Sequence, residues 1–181
     1  MLCFLDLETT GLDPCFDRIL EVGMILTDWQ LNEVDRHGVL LRCDPDKLAS
    51  MEPAVRVMHK GLLDDIEQRG VHPREAYAGC MDFLAKHCPK GAVPAAGFTP
   101  GFDRGFLAVH CWPMHTWLNH RSLDVSTLKM LREHLRPDVP EPPKGGKAHR
   151  ALPDCEEAIK ALRHFYSHWL TPVRSGVESP P

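Results

Sequence analysis

"FLDLETTGLD", residues 4–13, decides how this chain is read: an apolar run carries two carboxylates, Asp6 and Glu8, and breaks at once into a Gly-containing turn. Residues two apart on a strand point to one face, so Asp6 and Glu8 project together while Leu5 and Leu7 project to the other side. A strand this apolar is expected to be covered on both faces, where two like charges repel unless a cation lies between them. A divalent metal resolves that conflict. Two solvated acids at a strand end are the simpler alternative.

Working outward, "MLCFLDLE" reads as a first, central strand. Residues 18–42 hold two β-rich runs around "DWQLNE", a polar break suited to a hairpin turn, so three strands follow in series. Pro53 opens a helix that Gly61 is expected to stop, and a second short helical piece ends at Gly70. Residues 72–91 place Ala76, Cys80, Phe83, Leu84 and His87 on one helical face. "AVPAAGF" reads as a short strand, and "TPGFDRGFLAVHCWP" as a turn opening into a helix that Pro113 ends. "HRSLDVSTLKMLREHLRP" reads as a strand feeding a helix with Asp124 or Ser126 at its N-cap. "PDVPEPPKGGK" is loop. "AHRALPDCEEAIKALRHFYSHWL" is a long amphipathic helix with Ala158, Leu162, Phe165 and Trp169 on its apolar stripe. The order predicts an α/β fold: a mixed sheet whose first three strands are antiparallel, with helices on both faces. Residues 1–170 are expected to form a single domain and residues 171–181 a flexible C-terminal tail.

Composition narrows the function. A chain of 181 residues, 43% apolar and 25% charged, suits one globular domain. A net charge of −4 excludes a basic scaffold that grips long nucleic acid through many phosphates, so a polyanionic partner must be short or held by metal ions. No apolar run approaches the roughly 20 residues that span a bilayer, and no basic region precedes the first apolar stretch. A cytoplasmic setting without membrane contact is expected. Seven cysteines without CxxC spacing argue against a disulfide framework. His87-Cys88 and His110-Cys111 read as buried thiols and surface histidines rather than zinc ligands, which come in tighter pairs.

Two further acids stand at helix starts: Asp103 in "GFDRGFL" and Asp154 in "HRALPD". Each alone complements a helix dipole. With His149, five positions before Asp154 on a Gly- and Pro-rich loop, they complete a set of four carboxylates and one imidazole. "DLETTGLD", "GFDRGFL" and "HRALPD" together resemble the DEDDh subgroup of the DnaQ-like 3′→5′ exonucleases, which have an RNase H-like fold with a five-stranded mixed sheet. With "LDVSTLKML" added, the chain is most similar to the oligoribonuclease family within that superfamily.

The resemblance implies a 3′→5′ exonuclease that degrades short single-stranded oligoribonucleotides to nucleoside 5′-monophosphates by a two-metal mechanism. Two Mg²⁺ or Mn²⁺ ions would be held by Asp6, as a bridging ligand, with Glu8, Asp154 and Asp103, and His149 would be the base. It further implies that Leu12 packs against the 3′-terminal base, with Thr9, Gly11 and Thr99 near the terminal nucleotide. Arg121 and Ser126 would cap a 5′ phosphate from the partner subunit of a homodimer. His120 replaces a family tyrosine, and "VRVMHKGLL" is closer to DNA-proofreading relatives, so His59 either approaches substrate or is a surface residue. Lys144, Lys147 and Arg150 near His149 either attract phosphate or form a solvated basic loop. Two alternatives stay open: a 3′→5′ exonuclease on single-stranded DNA, and a catalytically silent nucleic-acid-binding module.

Overall fold

The structure is a computed structural model that describes residues 1–143, 145–146 and 149–170. Lys144, Lys147 and the tail 171–181 lie outside the described residues. β1 (Leu2–Thr9), β2 (Ile19–Thr27) and β3 (Glu33–Leu40) form the antiparallel start, turning through Asp28–Asn32. The turn is less polar than its sequence suggests: Leu31 at its tip is buried and has φ 65°. Then follow α1 (Pro45–Ala49), α2 (Pro53–Met58), α3 (Lys60–Arg69) and α4 (Pro73–His87). β4 (Ala95–Gly97), α5 (Pro100–His110), α6 (Trp112–Trp117), β5 (Ser122–Asp124), α7 (Val125–Leu135) and α8 (Ala151–His168) follow among the described residues. The sheet order is β3-β2-β1-β4-β5, with β4 and β5 parallel to β1.

The alternation along β1 sorts the layers. Cys3, Leu5 and Leu7 face a core built with α4, α5 and α6, including Cys80, Leu84, Phe106 and Met114. Leu2 and Phe4 face a second core with α7 and α8, including Ala158, Leu162 and Phe165. Each buried Leu, Phe or Met side chain among these is worth about 1.5–3 kcal/mol, enough for the stripes to fix the side on which each helix lies. Asp6 and Glu8 share the parity of Leu2 and Phe4 and therefore face α8.

Two predicted helix ends move. The break between α2 and α3 falls at His59, and Gly61 sits inside the first turn of α3, where a glycine costs little. Pro113 does not end α5, which stops at His110; it lies in the first turn of α6, where its missing N–H is no loss. Asp124 is the N-cap of α7, its carboxylate accepting the Ser126 N–H at 2.8 Å. Among the described residues no helix is long and apolar enough to cross a membrane, and all seven cysteines are free.

Candidate active site

β1 and β4 pair across Cys3–Ala95 and Phe4–Ala96, Gly97 lies against the Leu5 carbonyl, and β4 then ends short of Leu7. The Leu7 N–H on that side donates to Asp103 Oδ1 at 2.9 Å. Asp103, in the first turn of α5, is thereby buried at the seam between the strands. From the other layer, α8 carries Asp154 in its own first turn over the face that holds Asp6 and Glu8. One oxygen from each of Asp6, Glu8 and Asp154 lies within 4.8 Å of the others. These acids line an open cleft of about 320 Å³, shared with Asp103, His149, Thr99 and Leu12.

Taking a carboxylate out of water costs several kcal/mol, more than the roughly 1 kcal/mol that a hydrogen bond returns. Without a cation, the protonated forms are therefore favoured. Burial, then the charges of Asp103, Glu8 and Asp154, push Asp6 up to about 9. Burial and Asp154 push Glu8 up to about 8, and burial raises Asp103 to about 7 against the pull of its Leu7 hydrogen bond. Asp154 is raised by burial and by Glu157. Among the described residues no lysine or arginine forms an ion pair with these four acids. An all-oxygen, cation-free donor set of this kind fits hard divalent ions.

The turn after β1 is set by Asp17. Its carboxylate accepts the Thr10 hydroxyl at 2.9 Å and the Asp13 N–H at 3.0 Å. A Cβ on Gly11 would lie 2.5 Å from Asp17 Oδ2, so a larger residue there would have to push that carboxylate away from the hydrogen bonds that set the turn. The Thr9 hydroxyl donates to the Gly11 carbonyl at 2.6 Å, and the turn leaves Leu12 83% exposed at the cleft. Thr99 adopts φ 54°, held by its N–H on Asp124 Oδ1 and its hydroxyl on Ser126 Oγ. Ser126 thus stands beside Thr99 at the cleft. Arg121 does not: it precedes β5, whose N-terminal end is remote from the acids, and lines a separate hollow with Trp29.

His59 is no surface residue. It is 2% exposed, with Nε2 3.6 Å from Glu8 Oε2, and among the described residues its Nδ1 has no hydrogen-bond partner. Arg150 is no free basic side chain either: its guanidinium is engaged by Glu21 and Asp65. Sequence reasoning passed over Glu21, although a lone acid inside the otherwise apolar "ILEVGMILT" is the signal that marks it. His87 pairs with Asp35 at 2.8 Å and His110 with the Pro14 carbonyl at 2.9 Å. Neither is near a metal-ligating group among the described residues, where only Asp6, Glu8 and Asp154 gather.

The RNase_T exonuclease family matches residues 3–162. The chain belongs to this family. The oligoribonuclease of Marinobacter nauticus is 37% identical over 171 residues, covering 93% of this chain and 95% of that protein. The oligoribonuclease of Pseudomonas putida is 38% identical over 172 residues, covering 93% and 96%. Exonuclease I of Methylocaldum szegediense superposes with a TM-score of 0.74 at 19% identity, over 94% of this chain and 41% of that one. The zinc-bound complex of E. coli exonuclease I with single-stranded DNA gives 0.78 at 16% identity, again over 94% and 41%. The chain spans about two fifths of those longer proteins, and at such identity the likeness speaks for the RNase H-like fold alone.

For this exonuclease the raised carboxylates have a measurable sign. Free Asp and Glu titrate near pH 4 in an unfolded chain, so between about pH 4 and 9 the metal-free folded state binds more protons than the unfolded one. Their contribution to stability is therefore fully present below about pH 4 and is lost as pH rises toward 9. In EDTA the Tm is expected to fall from pH 5.5 to 8.5, and a saturating divalent cation should flatten that slope. A Tm in EDTA that rises over the same range would contradict the electrostatic picture.

Proposed function

We propose that the protein is a 3′→5′ exonuclease that hydrolyses short single-stranded oligoribonucleotides from their 3′ ends, releasing nucleoside 5′-monophosphates. One observation carries this: carboxylates from β1 and α8 converge within 4.8 Å in a chain 37–38% identical to oligoribonucleases over nearly its whole length. Asp6, Glu8, Asp103 and Asp154 would hold divalent cations, Mg²⁺ or Mn²⁺, two in number, through their carboxylate oxygens. Bound there, such ions offset the negative charge that builds on the phosphate and make water more acidic.

His149 accepts the proton of the attacking water, a role suited to imidazole near neutral pH. Leu12 packs against the terminal base. Thr9, Gly11 and Thr99 line the place of the terminal nucleotide, with Ser126 behind Thr99 and His59 behind Glu8. Arg121, remote from its own chain's acids, acts in a homodimer by reaching the partner's cleft and capping a 5′ phosphate. Such a two-ended grip explains how a chain of net charge −4 holds a polyanion without a basic groove. Residues 1–170 make up the working domain, in a cytoplasmic setting.

The test is a length series. Purified protein with Mg²⁺ or Mn²⁺ is given 5′-labelled RNA and DNA of roughly two to twenty nucleotides, the range of a short oligonucleotide grip. Initial rates should be highest on the shortest RNAs, with mononucleotides as product. Accumulating dinucleotides would refute the short-substrate reading, and faster turnover of DNA would assign single-stranded DNA instead. A monomer in sedimentation with undiminished dinucleotide activity would remove the cap in trans.

A further inference from the structure

Arg150 is the residue through which the loop bearing His149 re-enters the fold. Its Nε and Nη2 donate to Glu21 at 3.0 and 3.1 Å, and its Nη1 donates to Asp65 on α3 at 2.8 Å. Glu21 is 6% exposed and stands directly opposite Glu8 in the β1–β2 ladder. The same Glu21 carboxylate accepts the Ala151 N–H at 3.0 Å, so a side chain from β2 caps α8 where the N-cap residue itself makes no cap. Two residues along β2, a Cβ on Gly23 would lie 2.6 Å from the Ala151 backbone. The start of α8 is thus pinned to β2 at two neighbouring points.

His149, just ahead of this anchorage, adopts φ 43°. A left-handed conformation costs a non-glycine residue free energy and persists only where the surroundings over-determine it. The described contact beside it is the Glu21–Arg150–Asp65 array. Stability alone is a poor account of that array, because Arg150 and Asp65 are partly open to solvent, where an ion pair contributes little. The apolar stripe of α8 already seats the helix on the sheet.

We propose that Glu21, Arg150 and Asp65 form a positioning clamp that holds His149 over the acid cluster. The inference rests on the reading of His149 as the base. Arg150 is a positioning residue: it acts through its neighbour and takes no part in holding the metal. Its planar fork engages two carboxylates on two elements at once, which a lysine ammonium cannot reproduce.

The experiment is a double-mutant cycle on a dinucleotide substrate, joining Arg150→Lys with His149→Ala. Arg150→Lys should lower kcat about 10- to 100-fold, the scale of a misplaced catalytic group. KM and the metal concentration for half-activation should stay within about twofold of the parent, because Asp154 keeps its backbone bond to the Arg150 carbonyl. In the His149→Ala background, Arg150→Lys should cost less than about twofold more. Additive losses, or a large shift in the metal requirement, would mean general loosening of α8 and overturn the clamp. Asp65→Asn, on the more open side of the guanidinium, provides the same cycle if Arg150→Lys does not fold. It should give a smaller loss with the same non-additivity, and additive losses there would equally overturn the clamp. Full activity of His149→Ala alone would instead bring down the base assignment beneath it.

Discussion

Asp6→Asn is expected to lower turnover in saturating Mg²⁺ by at least about a thousand-fold, some 4 kcal/mol of lost transition-state stabilisation. Asp6 is the carboxylate whose ionised form is most disfavoured by its surroundings, pushed up to about 9 by burial and then by Asp103, Glu8 and Asp154. A bound cation would offset those neighbours and favour the ionised form, so its negative charge and metal binding support one another. Asparagine keeps the shape and removes that charge. The same substitution should leave the metal-free protein as stable as the parent, or more so at pH 8.5, because it deletes a group that resists ionisation. Two measurements decide it: hydrolysis rate with Mg²⁺, and Tm in EDTA. Hydrolysis that continues in excess EDTA, or an Asp6→Asn rate within tenfold of the parent, would refute the metal-dependent scheme.

His149→Ala is expected to lower kcat by about 10²–10⁴, the range that a positioned general base supplies. Metal binding should survive, since the acid cluster of Asp6, Glu8 and Asp154 does not include the imidazole. The check is a thermal shift on adding Mn²⁺, which should match the parent while activity is lost. Alanine at φ 43° carries a strain of its own. His149→Asn, which tolerates that backbone region, separates the missing base from the backbone cost. Equal losses in both variants assign the effect to the imidazole; recovery in the asparagine variant would assign it to the loop.

The parts of the fold that were legible are those where local pattern and tertiary structure agree. The period-two alternation of β1 placed Asp6 and Glu8 on one face, and the α8 stripe of Ala158, Leu162 and Phe165 is buried as its spacing implies. Prolines misled where they have two uses: Pro113 reads as a terminator but starts α6, because its fixed φ suits a first turn as well as it ends a helix. The pairing of Glu21 with Arg150, 129 positions apart, has no local signature. Neither does the burial of His59, which stands at the start of α3, a helix that packs on Leu20 of β2 and Leu40 of β3. Arg121 and Ser126 are joined only by the resemblance: in the fold Arg121 precedes β5 and lines a hollow with Trp29, while Ser126 follows β5 and meets the Thr99 hydroxyl.

The acid cluster joins β1 to α8, and its first and third members, Asp6 and Asp154, are 148 positions apart. At about 5–20 residues per second, a ribosome needs roughly 7–30 s to pass from one to the other. Throughout that interval the nascent strand carries Asp6 and Glu8 without the helix that completes their site. A nuclease whose centre closes only on such a distant contact stays harmless to RNA around it while it is being made. The cost falls on folding speed, because long-range closure is the slow kind.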